Sequence, residues 1–212
     1  MGRMSAKSRY WDRIAGKYFN SPIEDEAAYQ FKLAKTREYL SGDHRVIEFG
    51  CGTGMTALHH APYVAELIAT DISQSMLDLA RQRVSKAGYE GQNLRFELAD
   101  IDSYDGDGES FDAVLCLSLL HLVADRAHAL ATVRRILKPG GFLISSKACL
   151  GDRLAWFALI APLGRWLGFL PMVRVFREAR LLKELERAGF DTVFRWRPAN
   201  AHAVFVISVR RA

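Results

Sequence analysis

Three short stretches of this 212-residue chain carry the residues best equipped to hold a ligand. The first is Glu48-Phe49-Gly50-Cys51-Gly52-Thr53-Gly54, between a short apolar run and a helical pattern. Three alternate glycines let the backbone turn tightly and let a ligand lie against it. Backbone N–H groups at a helix start add partial positive charge. The spacing is GxGxG. A nicotinamide-binding loop has its third glycine one residue later, so a dinucleotide is disfavoured. The second stretch ends in Asp71, 17 residues after Gly54. An acid at a strand end there accepts both hydroxyls of a ribose. Its other role would be to cap the next helix, for which Ser73 is better placed. The third is Ala99-Asp100-Ile101. A carboxylate here suits an exocyclic amine, with Ile72 and Ile101 walling the flat faces of a purine. The neighbouring Asp102, Asp105 and Asp107 leave open that Asp100 is one more loop acid.

His121 follows an apolar run in Ser118-Leu119-Leu120-His121. Its ordinary pKa near 6.5 suits it to take a proton. The alternative is an imidazole that packs or hydrogen-bonds beneath the ligand. His59, His60, His128 and His202 read as surface or packing residues. Cys51, Cys116 and Cys149 are few, odd in number and widely spaced. No CxxC pair and no His/Cys/acid cluster occurs, so no metal and no disulfide framework is expected, and a reducing cytoplasm fits.

These residues need a scaffold, and the periodicity supplies one. Residues 8–19 form a short amphipathic helix with Tyr10, Trp11, Ile14, Tyr18 and Phe19 at helical spacing. A second helix covers 24–40. Short apolar runs then alternate with helices: strands at 45–49, 67–71, 94–98, 111–117 and 142–146, and helices near 55–61, 73–87 and 126–137. Lys138-Pro139-Gly140-Gly141 stops the last of these. This alternation predicts right-handed βαβ units and a doubly wound parallel sheet. The end differs. Runs at 192–197 and 203–209 are separated by too few residues for a parallel crossover, so they predict a hairpin with an antiparallel last strand. A helix at 177–188, capped by Gly189, precedes it.

Half the residues are apolar and a quarter are charged, a globular composition that affords a sizeable core. One domain over 1–212 is expected: a helical cap at 1–42, a ligand-binding core at 43–150, a helical insertion or lid at 151–178, and a last helix and hairpin at 179–212. The net charge is +5, and from Gly151 onward there are eleven basic against five acidic residues. That bias suits an Arg-rich solvated face or an anionic partner. The polar, basic start does not read as a signal peptide, and no uncharged apolar run is long enough to span a membrane.

The ordered motifs across Val46 to Ser146 resemble those of class I S-adenosylmethionine (SAM)-dependent methyltransferases of the small-molecule type. They are the glycine stretch, Ala69-Thr70-Asp71-Ile72-Ser73 with Met76, the acid Asp100, the run from Phe111 to Val123, and Leu137-Lys138-Pro139-Gly140-Gly141. The resemblance implies a Rossmann-like seven-stranded sheet in the order 3-2-1-4-5-7-6 with the seventh strand antiparallel. It implies SAM as cofactor. Glu48 would orient the glycine loop or reach the amino group of SAM. Gly50, Cys51, Gly52 and Thr53 would face its methionine and ribose. Asp71 would hold the ribose, Ile72 and Met76 would contact the adenosine, and Asp100 with Ile101 would bind the adenine. Leu117 and Ser118 would lie beneath the sulfonium. Tyr10 and Tyr18 resemble the helix that closes over SAM in such enzymes. The amino-methylating DNA enzymes of this fold carry an Asn/Asp-Pro-Pro-aromatic motif after the fourth strand. This chain has Cys116-Leu117-Ser118-Leu119-Leu120-His121 there, which argues against nucleic acid.

Leu154 to Phe176 is apolar and aromatic, cut by Pro162, Gly164, Gly168 and Pro171. It stands where this family places substrate-binding insertions. Trp156 and Trp166 would then face a hydrophobic or amphipathic acceptor, such as a lipid or quinone precursor. With Arg153, Arg165, Arg174 and Arg177 on its rim, the segment also suits a peripheral membrane contact or a homodimer surface. The reading of another class is a SAM-binding regulatory or membrane-docking module without turnover.

Overall fold

All seven expected strands form, and they form one sheet in the order β3-β2-β1-β4-β5-β7-β6. The computed structural model describes residues 6–148, 178–198 and 203–212. The expected insertion, with Trp156 and Trp166, lies outside the described residues, as does Cys149. In chain order the elements are α1 (Ala6–Asn20), α2 (Glu26–Arg37), β1 (Arg45–Phe49), α3 (Met55–His60), β2 (Glu66–Asp71), α4 (Gln74–Lys86) and β3 (Leu94–Leu98), then β4 (Phe111–Leu117), α5 (Arg126–Ile136), β5 (Leu137–Ala148), α6 (Glu178–Arg187), β6 (Phe190–Trp196) and β7 (Ala203–Arg210). The chain forms two compact units, one up to Ser103 and one from Tyr104.

In the first unit, β1, β2 and β3 are parallel, with Phe49 beside Thr70 and Asp71 beside Leu98. The near-continuous apolar runs of β1 and β2 are buried, as strands covered on both faces should be. Because the strands end together, the turns that follow them emerge side by side at one carboxyl edge. Cys51 N carries the ladder one step past β1 by donating to Thr70 O at 2.9 Å. Ser73 caps α4, its hydroxyl accepting from Met76 N at 3.1 Å, and Met76, Leu77 and Ala80 turn into the core.

Two helices differ from expectation. α2 is shorter than 24–40: Asp25 caps its start, and i to i−3 bonds from Tyr39 and Leu40 tighten and end it. The aromatic stripe of α1 is not its buried seam. Ser8 and Ala15, seven residues apart, are buried, while Tyr10, Trp11, Ile14 and Phe19 are half-buried and Tyr18 is 53% exposed. Small residues at the seam let the helix approach closely and leave the rings on its flanks.

In the second unit, β4 and β5 are parallel, and β7 runs antiparallel to both β5 and β6. Lys138-Pro139-Gly140-Gly141 does not separate helix from strand as expected. Leu137 is at once the C-cap of α5 and the first residue of β5. The ladder jumps from Phe111–Leu137 to Ala113–Phe142, so the four residues bulge within the strand. A Cβ on Gly141 would come within 2.9 Å of the Asp112 and Lys138 carbonyl oxygens, which explains the glycine. Buried Arg126 at the start of α5 forms a bidentate pair with Glu184 of α6, at 2.7 and 2.8 Å.

Candidate functional site

The glycine stretch leaves β1 with Gly50, Gly52 and Gly54 all at positive φ, 69°, 54° and 72°. At Gly54 space is limiting as well. A Cβ there would lie 2.7 Å from Ala80 Cβ of α4 and 3.0 Å from the Phe96 ring of β3. Thr53 is buried and held from α4, with Arg83 donating to its carbonyl (2.9 Å) and its hydroxyl (3.2 Å). The same guanidinium lies 4.5 Å from the centre of the Phe19 ring of α1.

Asp71 ties the loop to the next helix. Its Oδ2 accepts from Gly52 N and its Oδ1 from Ser73 N, both at 2.9 Å. Asp71 therefore supports the helix start while Ser73 makes the cap. Burial raises the Asp71 carboxyl above its ordinary range, against the lowering effect of the Ser73, Gly52 and Ile72 amides; Asp12 raises it further. With these amides engaged, the carboxylate still has acceptor capacity for a hydroxyl.

Glu48 is 3% exposed, and its Oε2 is buried without a partner. Burial pushes its carboxyl up to about 8, with Asp71 adding to the rise. A buried carboxylate with no donor is costly, and a cation brought to it relieves the cost. Tyr18 faces the same loop: its Cε1 is 3.6 Å from where a Gly52 Cβ would be. Desolvation raises its phenol, with Asp71 and Glu48 adding and Arg83 opposing. Burial pushes the Tyr29 phenol of α2 up to about 12, Glu48 again contributing.

At the end of β3, Asp100 Oδ1 accepts from Asp102 N at 3.1 Å, closing a local turn. Lys7 of α1 stands 3.8 Å from Asp100 and 3.6 Å from Asp102. Ile101 is 2% exposed and Ile72 half-buried. Met76 is 2% exposed, part of the packing of α4. Tyr10 packs edge-on against Trp11, ring centres 5.3 Å apart.

Within the second unit, Leu117 ends β4 half-buried and Ser118 adopts the left-handed region at φ 57°. The Ser118 amide donates to Ser146 O (2.9 Å) and Ser146 Oγ (3.1 Å), which holds this unusual backbone. His121 is half-buried in the turn that follows. Among the described residues no group of three or more His, Cys, Asp or Glu side chains is placed to hold a metal, and no helix is long and apolar enough to cross a membrane.

The first unit thus brings Glu48, Gly50 to Thr53, Asp71, Ile72, Asp100, Ile101 and Tyr18 to the turns and helix of one strand edge. Three residues there were not expected from the sequence: Lys7, Asp12 and Arg83. Asp12 Oδ1 accepts from Ser73 Oγ (2.6 Å) and Ser75 N (3.2 Å). A signal for it existed, since Ser8, Asp12 and Ala15 fall on one helical face at spacings of four and three.

Comparison with known proteins adds findings of three kinds: a family model, sequence relatives and a solved structure. Residues 46–141 match the family model described as Methyltransferase domain. The chain is 35% identical over 109 residues to the uncharacterized methyltransferase YcgJ of Bacillus subtilis, covering 51% of this chain and 42% of that protein. It is 29% identical over 193 residues to the ubiquinone biosynthesis O-methyltransferase of Thiobacillus denitrificans, covering 87% and 78%. It spans less than two thirds of the length of several curated relatives, 42% of YcgJ and 60% of a Coxiella burnetii ubiquinone biosynthesis O-methyltransferase. Its fold matches the crystal structure of the magnesium protoporphyrin IX methyltransferase of Synechocystis with bound SAH, at a TM-score of 0.73 and 18% identity over 96% of this chain and 97% of that one.

Proposed function

We propose that the chain is a class I SAM-dependent methyltransferase that transfers the methyl group of SAM to a small apolar or amphipathic acceptor, a reading supported by the match of residues 46–141 to the methyltransferase-domain model. The observation that carries the reading is the pairing of two buried acids at one glycine loop. Asp71 accepts from the Gly52 and Ser73 amides, and Glu48 Oε2 has no partner at all.

The donor set fits the cofactor. Glu48 would receive the ammonium of the methionine part, a cation that relieves its burial. Asp71 would accept the two ribose hydroxyls on its remaining lone pairs. Asp100 would accept from the adenine amine, with Ile72 and Ile101 against the ring and Tyr18 over the glycine loop. When bound, SAM supplies an electrophilic methyl on its sulfonium, so the protein's own work is to position two reactants and exclude water. His121 is the group proposed to take a proton from an acceptor that arrives protonated.

An oxygen nucleophile is favoured by the Thiobacillus relative, whose name is that of an O-methyltransferase of ubiquinone biosynthesis. The test is incubation with methyl-labelled SAM and a panel of phenols, quinols, carboxylic acids and lipids. Label in an extractable product is expected. Affinity for SAH, the demethylated thioether, with no transfer to any acceptor would return the chain to a non-catalytic SAM-binding module. No affinity for SAM or SAH would overturn the assignment.

A further inference from the structure

α1 meets the nucleoside-binding turns along its length. Lys7 stands near Asp100 and Asp102 after β3 at 3.6 to 3.8 Å, and Tyr18 lies over Gly52. Between them, Asp12 makes two hydrogen bonds to the start of α4. The Ser73 hydroxyl donates to Asp12 while accepting from Met76 N, and the Ser73 amide donates to Asp71. A hydrogen-bonded chain therefore runs from the glycine loop through Gly52, Asp71 and Ser73 to Asp12, crossing four segments.

The Asp12 contacts are the kind that hold. A carboxylate at a helix N-terminus meets unsatisfied amides and the positive end of the dipole, and its short bond to a hydroxyl is charge-assisted. The Lys7 pairs are longer and about one-third exposed, a setting in which ion pairs contribute little. Of these contacts, Asp12 is the one built to fasten the helix.

We propose that Asp12 is a positioning residue that fastens α1 across the nucleoside-binding edge and so governs how long the cofactor stays bound. The proposal rests on the SAM-binding reading above. Asp12 acts through Ser73, whose amide orients the carboxylate of Asp71, and through α1, which carries Tyr18 over the loop. When Asp12 lets go, α1 loses its mid-point anchor and the bound cofactor loses its cover.

The experiment measures SAH association and dissociation by stopped-flow fluorescence on the full chain, for wild type, Asp12→Ala and Asp12→Asn. Hydrogen exchange of α1 amides is followed with and without SAH. Asp12→Ala should dissociate SAH about tenfold faster with little change in association rate, as expected for loss of charge-assisted bonds. Its α1 amides should lose SAH-dependent protection while those of β1 keep theirs. Asp12→Asn, which keeps an acceptor but not the charge, should fall between. An unchanged dissociation rate in Asp12→Ala would overturn the proposal even though wild type binds SAH. Protection lost equally from α1 and β1 in both variants would do so too, because Asp12 would then be serving the fold alone. Failure of wild type to bind SAH would remove the functional reading, and this proposal with it.

Discussion

The amide of Gly52 donates to Asp71 Oδ2 at 2.9 Å, across 19 residues of sequence. That bond fixes a glycine at positive φ to the end of the neighbouring strand, so loop shape and acid position are set together. The second oxygen is committed to Ser73 N. Asp71 is thus a structural tie and the proposed ribose acceptor at once, and a substitution must disturb both roles.

Asp71→Ala should therefore weaken SAH affinity by about 1.5–3 kcal/mol and cost the apo protein about 1–3 kcal/mol, because two amides lose their acceptor. Asp71→Asn should be little better. Its side-chain amide would put a donor against either Gly52 N–H or Ser73 N–H. Calorimetric titration with SAH and urea unfolding measure the two effects separately. Lost affinity with unchanged apo stability would show that the two backbone bonds contribute nothing.

Glu48 gives the fold a pH dependence. Its carboxyl is pushed up to about 8 in the folded protein from an ordinary 4.5. Between those values the folded state keeps a proton that the unfolded chain has released. Stability from this group is full below about pH 4.5 and is lost as pH rises through about 8, with a limiting slope of about 1.4 kcal/mol per pH unit. Glu48→Gln should remove that part of the decline in urea unfolding between pH 5 and 9. It should also remove the proton release that accompanies SAH binding below pH 8, read by calorimetry in buffers of different ionisation enthalpy. A variant with the wild-type pH profile would place the proton elsewhere.

Most of the site's frame was legible because local signals agreed with tertiary demands. The runs of β1, β2 and β4 are apolar because both faces are covered, and Gly50, Gly52 and Gly54 punctuate the point where the chain must reverse. Asp71 and Ser73 stood where strand end and helix start require them. What was missed depends on partners far along the chain. Asp12 reaches Ser73 across 61 residues; the spacing of Ser8, Asp12 and Ala15 marks its helical face but not its partner. Pro139 and Gly140 read as a stop, yet the register of β5 against β4 turns them into a bulge. The ring-bearing stripe of α1 looked like its buried face, whereas the close approach falls at Ser8 and Ala15.

Gly54 and Gly16 should respond oppositely to alanine. At Gly54 the new Cβ meets Ala80 Cβ at 2.7 Å with φ at +72°. Left-handed strain and overpacking together should cost about 2–4 kcal/mol. At Gly16, inside α1, nothing lies within 4 Å of the new Cβ, and helix propensity should gain about 0.5–1 kcal/mol. Urea unfolding of the two variants tests both signs. A harmless Gly54→Ala would mean that the loop can move off α4 and β3.

His60 should shape the acid limb of the stability curve. It ends α3 fully buried, at 0% exposure, and neither ring nitrogen has a hydrogen-bond partner. Burial lowers its pKa to about 3, with Arg37 and then His59 adding to the effect. The unfolded chain takes up a proton near the ordinary 6.5 while the folded protein refuses it until about 3. Stability from a neutral His60 is therefore present above pH 6.5 and lost as pH falls toward 3, the reverse of Glu48. His60→Leu replaces an unsatisfied polar ring with an apolar side chain, a change that is close to neutral or stabilising at pH 7. The same variant should unfold at lower pH than wild type when thermal melts are run from pH 7 down to 3.5. Equal acid midpoints would show that the wild-type imidazole does not resist protonation at this site.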